Sequence, residues 1–250
     1  MLPSVYVQGV GAVSAPMSGV GIRAGSVAAS LVLMSVLASA SALADGQLSA
    51  LPDNGATLSY AATKSSMQGQ PLSGTLTLTR VDAGSVHVVE GDGLIPTDNT
   101  LAVDSQGSVA QPSPVDPFID LLDNLAIILA AAPADLQQSS QWNVNLSPIS
   151  FLQSEGNSKK HLIAPNFKYV TVTTNVVTIA GDDLTFHADG KNQSYLQTIG
   201  GPSGASESVT IDFELQSGHL KSCTQTVTFG FGYEYSPMDV TQSASLAPKQ

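Results

Sequence analysis

Apolar and polar residues alternate one by one along most of the chain, a pattern typical of strands with one buried and one solvated face. In the segment GTLTLTR, Leu76 and Leu78 point to one side and the threonines between them point to the other. Turn residues such as those in 181–183 and 189–190 separate segments of this kind. The pattern predicts an antiparallel sheet architecture with strands in 56–64, 74–80, 84–91, 99–105, 141–147, 168–180, 184–188, 208–216 and 219–231.

The clearest hairpin lies in residues 208–229, with Ser217-Gly218 as its two-residue turn. This turn places Glu214 opposite Lys221, an oppositely charged cross-strand pair. A bulge in the second strand would bring Val227, Phe229 and Phe231 to the buried face. The first strand contributes the most secure predicted core residues, which are Val209, Ile211, Phe213 and Leu215.

One passage departs from the period of two: DPFIDLLDNLAIILAAAP, residues 116–133. Asp116 is a good N-cap, Pro117 is tolerated at the first helical position, and Pro133 ends the run, which predicts a helix over 116–132. One predicted stripe is apolar and the opposite face is polar. The stripe holds Phe118, Leu121, Leu122, Leu125, Ile128 and Leu129, and the polar face holds Asp120, Asp123 and Asn124.

The second half of this helix has no polar side chain from Leu125 to Ala132, and Ile127 falls at the centre of the polar face. A helix that is apolar all round is buried all round, so this end should enter the core or be covered by a loop. The alternative is that Ile127 is a single exposed apolar residue, which is ordinary on protein surfaces. The run is too short to cross a membrane, which takes about 20 apolar residues.

The predicted elements follow the order of several strands, one proline-led helix and several more strands. This order predicts the α+β class rather than an alternating parallel sheet. We expect a mostly antiparallel, curved, half-barrel-like β-sheet wrapped on the central helix 116–132. In layout this resembles the open half-barrels of periplasmic lipoprotein carriers and related lipid-binding proteins, although no residue motif carries a site over. The alternative is a β-sandwich with the helix packed on one edge.

The segment 1–44 is mostly apolar or small and ends in Ala42-Leu43-Ala44, the small-x-small pattern of signal cleavage before Asp45. We interpret 1–44 as a cleaved signal peptide with a possible true start at Met17, which would bring Arg23 into a short basic region. The predicted localisation is periplasmic or secreted. The domain prediction is one β-rich domain over 45–235 and a flexible tail over 236–250, since the tail lacks convincing periodicity.

The chain is acidic, with a formal net charge of −11. Nucleic acid and anionic membranes both attract cationic surfaces, so neither is expected as a partner. Cys223 is the single cysteine, which leaves no intramolecular disulfide and no lipid attachment point near the cleavage site. Pairing of Cys223 between chains stays open, but a buried, inert thiol is the commoner case.

The sequence gives no specific reason to predict an enzyme, a metal site or a cofactor. Its four histidines lie far apart, and no HExxH, GxSxG, phosphate-binding loop or GxGxxG motif occurs. The Asp- and Gly-rich turns near residues 90–99 and 182–192 do not match a calcium-binding loop. They are interpreted as turns.

Three functions remain open. The leading prediction is a non-enzymatic exported protein that binds a hydrophobic small molecule or another envelope protein in a cleft between sheet and helix. The second is a structural or surface-interaction protein whose core is fully packed, and the third is a hydrolase with a dispersed site. The candidate cleft residues are Phe118, Leu122, Leu125, Ile127 and Trp142; packing of Trp142 against the helix as a core residue is the commoner alternative.

Overall fold

The segments with alternating apolar and polar residues form a sheet. Its inner face is apolar, and its outer face is dominated by Thr, Ser, Asn and charged residues. The computed structural model describes residues 48–65, 70–110, 116–149, 151–155, 159–163, 167–198, 201–233 and 236–249. It describes their side chains as well, except in 151–163, 193–205 and 231–240. The predicted signal peptide 1–44, its cleavage site Ala44/Asp45 and the possible start at Met17 lie outside these residues.

Twelve described strands and one helix follow each other along the chain. Four strands precede the helix: β1 (Thr57–Ser65), β2 (Leu72–Asp82), β3 (Ser85–Gly91) and β4 (Thr97–Ala102). The helix α1 is Pro117–Ala130. The strands after it are β5 (Gln141–Leu146), β6 (Phe151–Glu155), β7 (Lys159–Ile163), β8 (Val170–Ala180), β9 (Asp183–Thr198), β10 (Gly201–Gln216), β11 (His219–Tyr233) and β12 (Ser236–Pro248).

Ten of these strands form one antiparallel, unclosed sheet in the order β4-β3-β2-β1-β12-β11-β10-β9-β8-β5. Strands β4 and β5 are its two edges, and β6 pairs only with β7 in a separate hairpin. The described part of the chain is therefore mostly β, with one helix. Among the described strands there is no second large sheet, so the β-sandwich alternative is wrong.

The β10–β11 hairpin has the predicted turn and core. Ser217 and Gly218 have φ values of 50° and 84°, the left-handed conformation of a two-residue hairpin turn. The register shifts between Glu214 and Leu215, and this irregularity brings both Leu220 and Cys223 to the buried face. Beyond it, Val227 and Phe229 are buried as predicted, and so are Val209, Ile211, Phe213 and Leu215.

The last strand corrects the prediction of a flexible tail over 236–250. Residues Ser236–Pro248 form β12, which lies in the middle of the sheet between β1 and β11. Its inward positions are Gln242, Ala244 and Leu246, all buried. Only one of these three is a large apolar side chain, which explains why the alternation is weak in the sequence.

The helix begins at its predicted cap and ends slightly earlier than predicted. The Asp116 carboxylate accepts hydrogen bonds from the backbone N–H groups of Phe118 and Ile119, and Ala131 is the C-cap. The helix lies against β12, β5 and β1. No helix in the described part of the chain is long and apolar enough to cross a membrane.

Candidate functional site

Four of the five predicted cleft residues lie in the interior between the helix and the sheet. Phe118, Leu122 and Leu125 have no exposed surface, and Trp142 is 9% exposed. The Trp142 indole Nε1–H donates to the carbonyl oxygen of Ile128 at 3.0 Å, and its ring meets Phe186 edge-on. These side chains are therefore packed against protein, which is the core alternative considered for Trp142.

Ile127 is partly buried and packs against the core, on the least buried stripe of the helix. The stripe consists of Asp123, Ile127 and Ala130, spaced at one helical turn. The polar face of the helix is narrower than the sequence pattern indicates, because Asp120 and Asn124 are buried at 6% and 5% exposure. These two residues are not solvated, which corrects the prediction of an outward polar face.

Asp120 and Asn124 face a buried glutamine on β11 and form an interior polar cluster with it. Gln225 Nε2 donates to Asp120 Oδ2 at 2.5 Å, and Asn124 Nδ2 donates to Gln225 Oε1 at 2.9 Å. Asn124 also donates to Asp120 Oδ2 at 3.2 Å, within the helix. This cluster fixes the rotation of the helix over the sheet, because turning the helix would leave three buried polar groups without partners.

Burial raises the pKa of Asp120 to about 7, although its hydrogen bond from Gln225 opposes the shift. The charges of Asp123 and Asp116 on the same helix raise the pKa further. Glu207 on β10 is also buried, and its carboxylate accepts from the backbone N–H of Ile149 at 3.0 Å and 3.2 Å. Desolvation raises the pKa of Glu207 to about 8, against the effect of the Ile149 hydrogen bond.

A second buried group joins the start of the helix to the sheet. Lys64 on β1 contacts both carboxylate oxygens of Glu90 on β3, at 2.7 Å and 2.9 Å, and Asp116 Oδ2 at 2.6 Å. Its ammonium also lies 4.9 Å from the ring centre of Phe118. Burial raises the pKa of Glu90, although its hydrogen bond to Lys64 lowers it. We call Lys64, Glu90 and Asp116 the cap triad.

A cleft of about 300 Å³ opens beside the second half of the helix. It lies between the segment Leu48–Asn54, the loop Asp104–Gly107 and the helix residues Ala126 and Leu129, with Arg80 on one wall. Carboxylate, guanidinium and apolar groups are mixed in its lining. None of the five predicted cleft residues lines it.

The histidines with described side chains lie at the surface beside carboxylates, and His187 lies between two of them, Asp212 and Asp189. His187 Nδ1 is 2.7 Å from Asp212 Oδ1, and His87 Nε2 is 2.6 Å from Asp98 Oδ1. Both imidazoles are more than a third exposed. In the described part of the chain, no three His, Cys, Asp or Glu side chains come together closely enough to hold a metal ion.

The sequence prediction missed the buried polar residues, although the pattern contains a signal for them. Gln225 has the same parity as Val227 and Phe229, and Glu207 has the same parity as Val209. A polar residue in phase with the buried face of a strand must find an internal partner, so such positions mark the polar contacts of the core.

Comparison with known proteins adds no relative. No protein-family model, curated protein or solved structure matches this chain.

Proposed function

We propose that this chain is an exported, non-enzymatic protein that acts through its surface, as a structural or surface-interaction protein. The observation that carries the proposal is the burial of the helix side chains: Phe118, Leu122 and Leu125 have no exposed surface. This packing favours the fully packed alternative over a carrier of hydrophobic molecules.

A curved sheet around the helix is part of the proposal. The helix is tied to β1 by the Lys64–Asp116 ion pair and to β5 by the Trp142–Ile128 hydrogen bond. In a flat sheet these two strands, six positions apart, would be separated by about 29 Å. The helix rises only about 18 Å from Asp116 to Ile128. Two anchors on so short a helix favour a half-barrel-like curvature.

Export rests on the sequence of residues 1–44, whose apolar run and Ala42-Leu43-Ala44 ending are those of a signal peptide. We therefore place the protein in the periplasm or outside the cell. The direct test is N-terminal sequencing of the exported protein, which should begin at Asp45. An Ala44→Lys variant should block cleavage and leave a longer precursor.

Surface action is tested with an apolar fluorescent dye and with native mass spectrometry of the protein purified from its own source. We expect no dye fluorescence in the native state and no co-purifying lipid. A stoichiometric apolar molecule bound to the native protein would contradict the proposal and would favour the carrier function instead. Ile128→Ala, which creates a buried cavity, is the positive control for dye entry.

The cleft beside the helix favours a second candidate function, binding of a small polar molecule. Its volume of about 300 Å³ is at the lower end of ligand sites, and Arg80, Asp53 and Asp104 supply charged groups. A thermal-shift screen of small polar metabolites tests this candidate. A Ser105→Trp variant, which blocks the exposed loop side of the cleft, should abolish any shift that reflects binding there.

A further inference from the structure

We infer that the protein pairs with a second copy of itself through the free edge of β5, in an antiparallel arrangement about a two-fold axis. The pairing would join two ten-stranded sheets into one continuous sheet. The inference does not depend on the proposed function, since a carrier or an enzyme could associate in the same way.

Strand β5 lacks the features with which proteins protect a sheet edge. Its sequence QWNVNL contains no proline, no lysine and no other charged residue. Its pairing with β8 is regular over all six residues, with no bulge. Among the described residues no backbone group pairs with its outer side, because β5 is the last strand of the sheet. An unprotected regular edge is a template for another strand.

The hydrogen-bonding pattern identifies which groups of β5 face outward. Val176 N–H on β8 donates to the carbonyl of Ser140 at 2.9 Å, and Ser140 and Val176 continue the register of the pair. Residues of an antiparallel ladder alternate between bonding to one neighbour and facing the other. The even-numbered residues of β5 therefore bond to β8. The N–H and C=O groups of Gln141, Asn143 and Asn145 face the free edge.

The outward backbone groups of these three residues are self-complementary when two copies pair about a two-fold axis. When Asn143 lies opposite Asn143 of the second copy, Gln141 lies opposite Asn145 of the second copy, and every outward backbone group gains a partner. The exposed side chains are complementary as well. Asn145 Oδ1 accepts from Thr171 and Asn143 Oδ1 accepts from Thr173, so Asn145 Nδ2 is left to donate to the side-chain oxygen of Gln141 in the second copy.

Charge selects this edge for contact between copies. The chain carries a net charge of −11, so most surfaces of two copies repel each other. Strands β5 and β8 together contain no Asp, Glu, Lys or Arg, whereas β9 carries Asp183, Asp189 and Lys191. The opposite edge strand, β4, carries Asp98. Of the two edges of the ten-stranded sheet, only the β5 edge lets two copies meet without opposed carboxylates on the edge strand itself.

Analytical ultracentrifugation of the full chain tests the pairing. We expect dimers in the micromolar range, because one pair of strands buries less area than a standard interface. Raising the salt concentration from about 0.05 M to about 0.5 M should strengthen association, since salt screens the overall repulsion. A protein that stays monomeric up to about 100 µM would overturn the inference.

Substitutions at the axis separate this edge from other surfaces. Asn143→Pro removes the central outward N–H, and an edge strand tolerates proline there, so the fold should survive while dimerisation weakens tenfold or more. Asn143→Lys opposes two like charges and should have a similar effect. The matched control is Asn99→Lys on the exposed edge strand β4, which should leave association unchanged. Equal weakening by both lysine variants would refute the β5 interface.

A disulfide trap measures the register directly. Directly opposed residues of a hydrogen-bonded antiparallel pair have Cα atoms about 5.5 Å apart, which is within the range for a disulfide. Under mild oxidation Asn143→Cys should therefore form a covalent dimer, and Asn99→Cys should not. The native Cys223 does not compete, because it is buried and burial raises its pKa. Absence of a covalent dimer in a sample that ultracentrifugation shows to be dimeric would contradict the β5 register.

Discussion

The indole Nε1 of Trp142 donates to the carbonyl oxygen of Ile128, 3.0 Å away, and so joins the edge strand β5 to the last turn of the helix. The last carbonyls of a helix have no partner within it. Trp142 therefore satisfies one backbone acceptor of the helix end in a buried place, while its ring packs against Phe186.

Trp142→Phe should keep the aromatic packing and remove this hydrogen bond. We expect the free energy of unfolding to fall by about 1–3 kcal/mol, because a buried carbonyl loses its partner. Urea unfolding followed by circular dichroism measures the loss without relying on tryptophan fluorescence. Tyr169→Phe, at a side chain that is 43% exposed, is the control and should change stability little.

Ile127 and Ile128 provide a matched pair of substitutions at adjacent positions of the helix. Ile128 is fully buried, so Ile128→Ala should destabilise the protein by about 2–5 kcal/mol. Ile127 lies on the partly exposed stripe, so Ile127→Ala should cost less than about 1 kcal/mol. The measurement is the urea midpoint of each variant. A large loss at Ile127 would indicate that a further segment or partner covers this position.

Lys64→Met should be strongly destabilising, because it leaves the carboxylates of Glu90 and Asp116 without their shared cation. Breaking one partner of a buried ion pair costs about 3–5 kcal/mol. Chemical denaturation measures the loss. The double variant Lys64→Met/Glu90→Gln should recover part of it, since the most buried orphaned charge is removed. If the double variant is no more stable than the single one, the loss comes from packing of the lysine stem and not from charge.

Stability should decrease as the pH rises from about 4 to about 8. The pKa of Asp120 is raised from 3.8 to about 7 in the folded protein, and that of Glu207 from 4.5 to about 8. Between the pKa of each carboxyl group in the unfolded chain and its higher pKa in the folded protein, the folded protein holds a proton that the unfolded chain has released. Stability therefore falls as the pH rises through this range and levels off above it. Each carboxyl should contribute a loss on the order of a few kcal/mol.

Urea unfolding at pH 5, 6.5 and 8 gives the profile. Asp120→Asn should flatten the low-pH part of the stability profile, and Glu207→Gln should flatten the high-pH part. Each substitution removes one titrating group and keeps the shape of the side chain. The control is Asp135→Asn, the same substitution in an exposed loop. A profile that rises with pH would contradict the burial of two protonated carboxyl groups.

The sequence predicts elements whose pattern is local and strong. The β10–β11 hairpin combines a two-residue turn with four large apolar side chains of the same parity, and the helix has both a cap and a terminating proline. Each signal depends on neighbours within a few residues. The turn of the hairpin and the bounds of the helix are therefore predicted closely, whereas β10 begins seven residues before the predicted start at 208.

Strand β12 and the interior polar cluster depend on distant partners. Helix α1 lies against β12, where the inward residue Ala244 is small, so the strand shows little apolar alternation. A helical wheel places Asp120 and Asn124 on a polar face, but it cannot distinguish water from the buried amide of Gln225 opposite them. The parity of Gln225 indicates that its side chain is buried, but the local pattern does not identify partners about a hundred positions away.

The place of β12 in the sheet determines when the fold can be completed. Strands β1 to β4 form one half of the ladder and β5, β8, β9, β10 and β11 form the other, and β12 is the strand that joins them. It is also the last described strand to leave the ribosome. The backbones of the two halves therefore cannot connect before β12 has been synthesised, and until then β1 and β11 each present an open edge. A chaperone that holds the nascent chain would protect these temporary edges from pairing with the wrong strand.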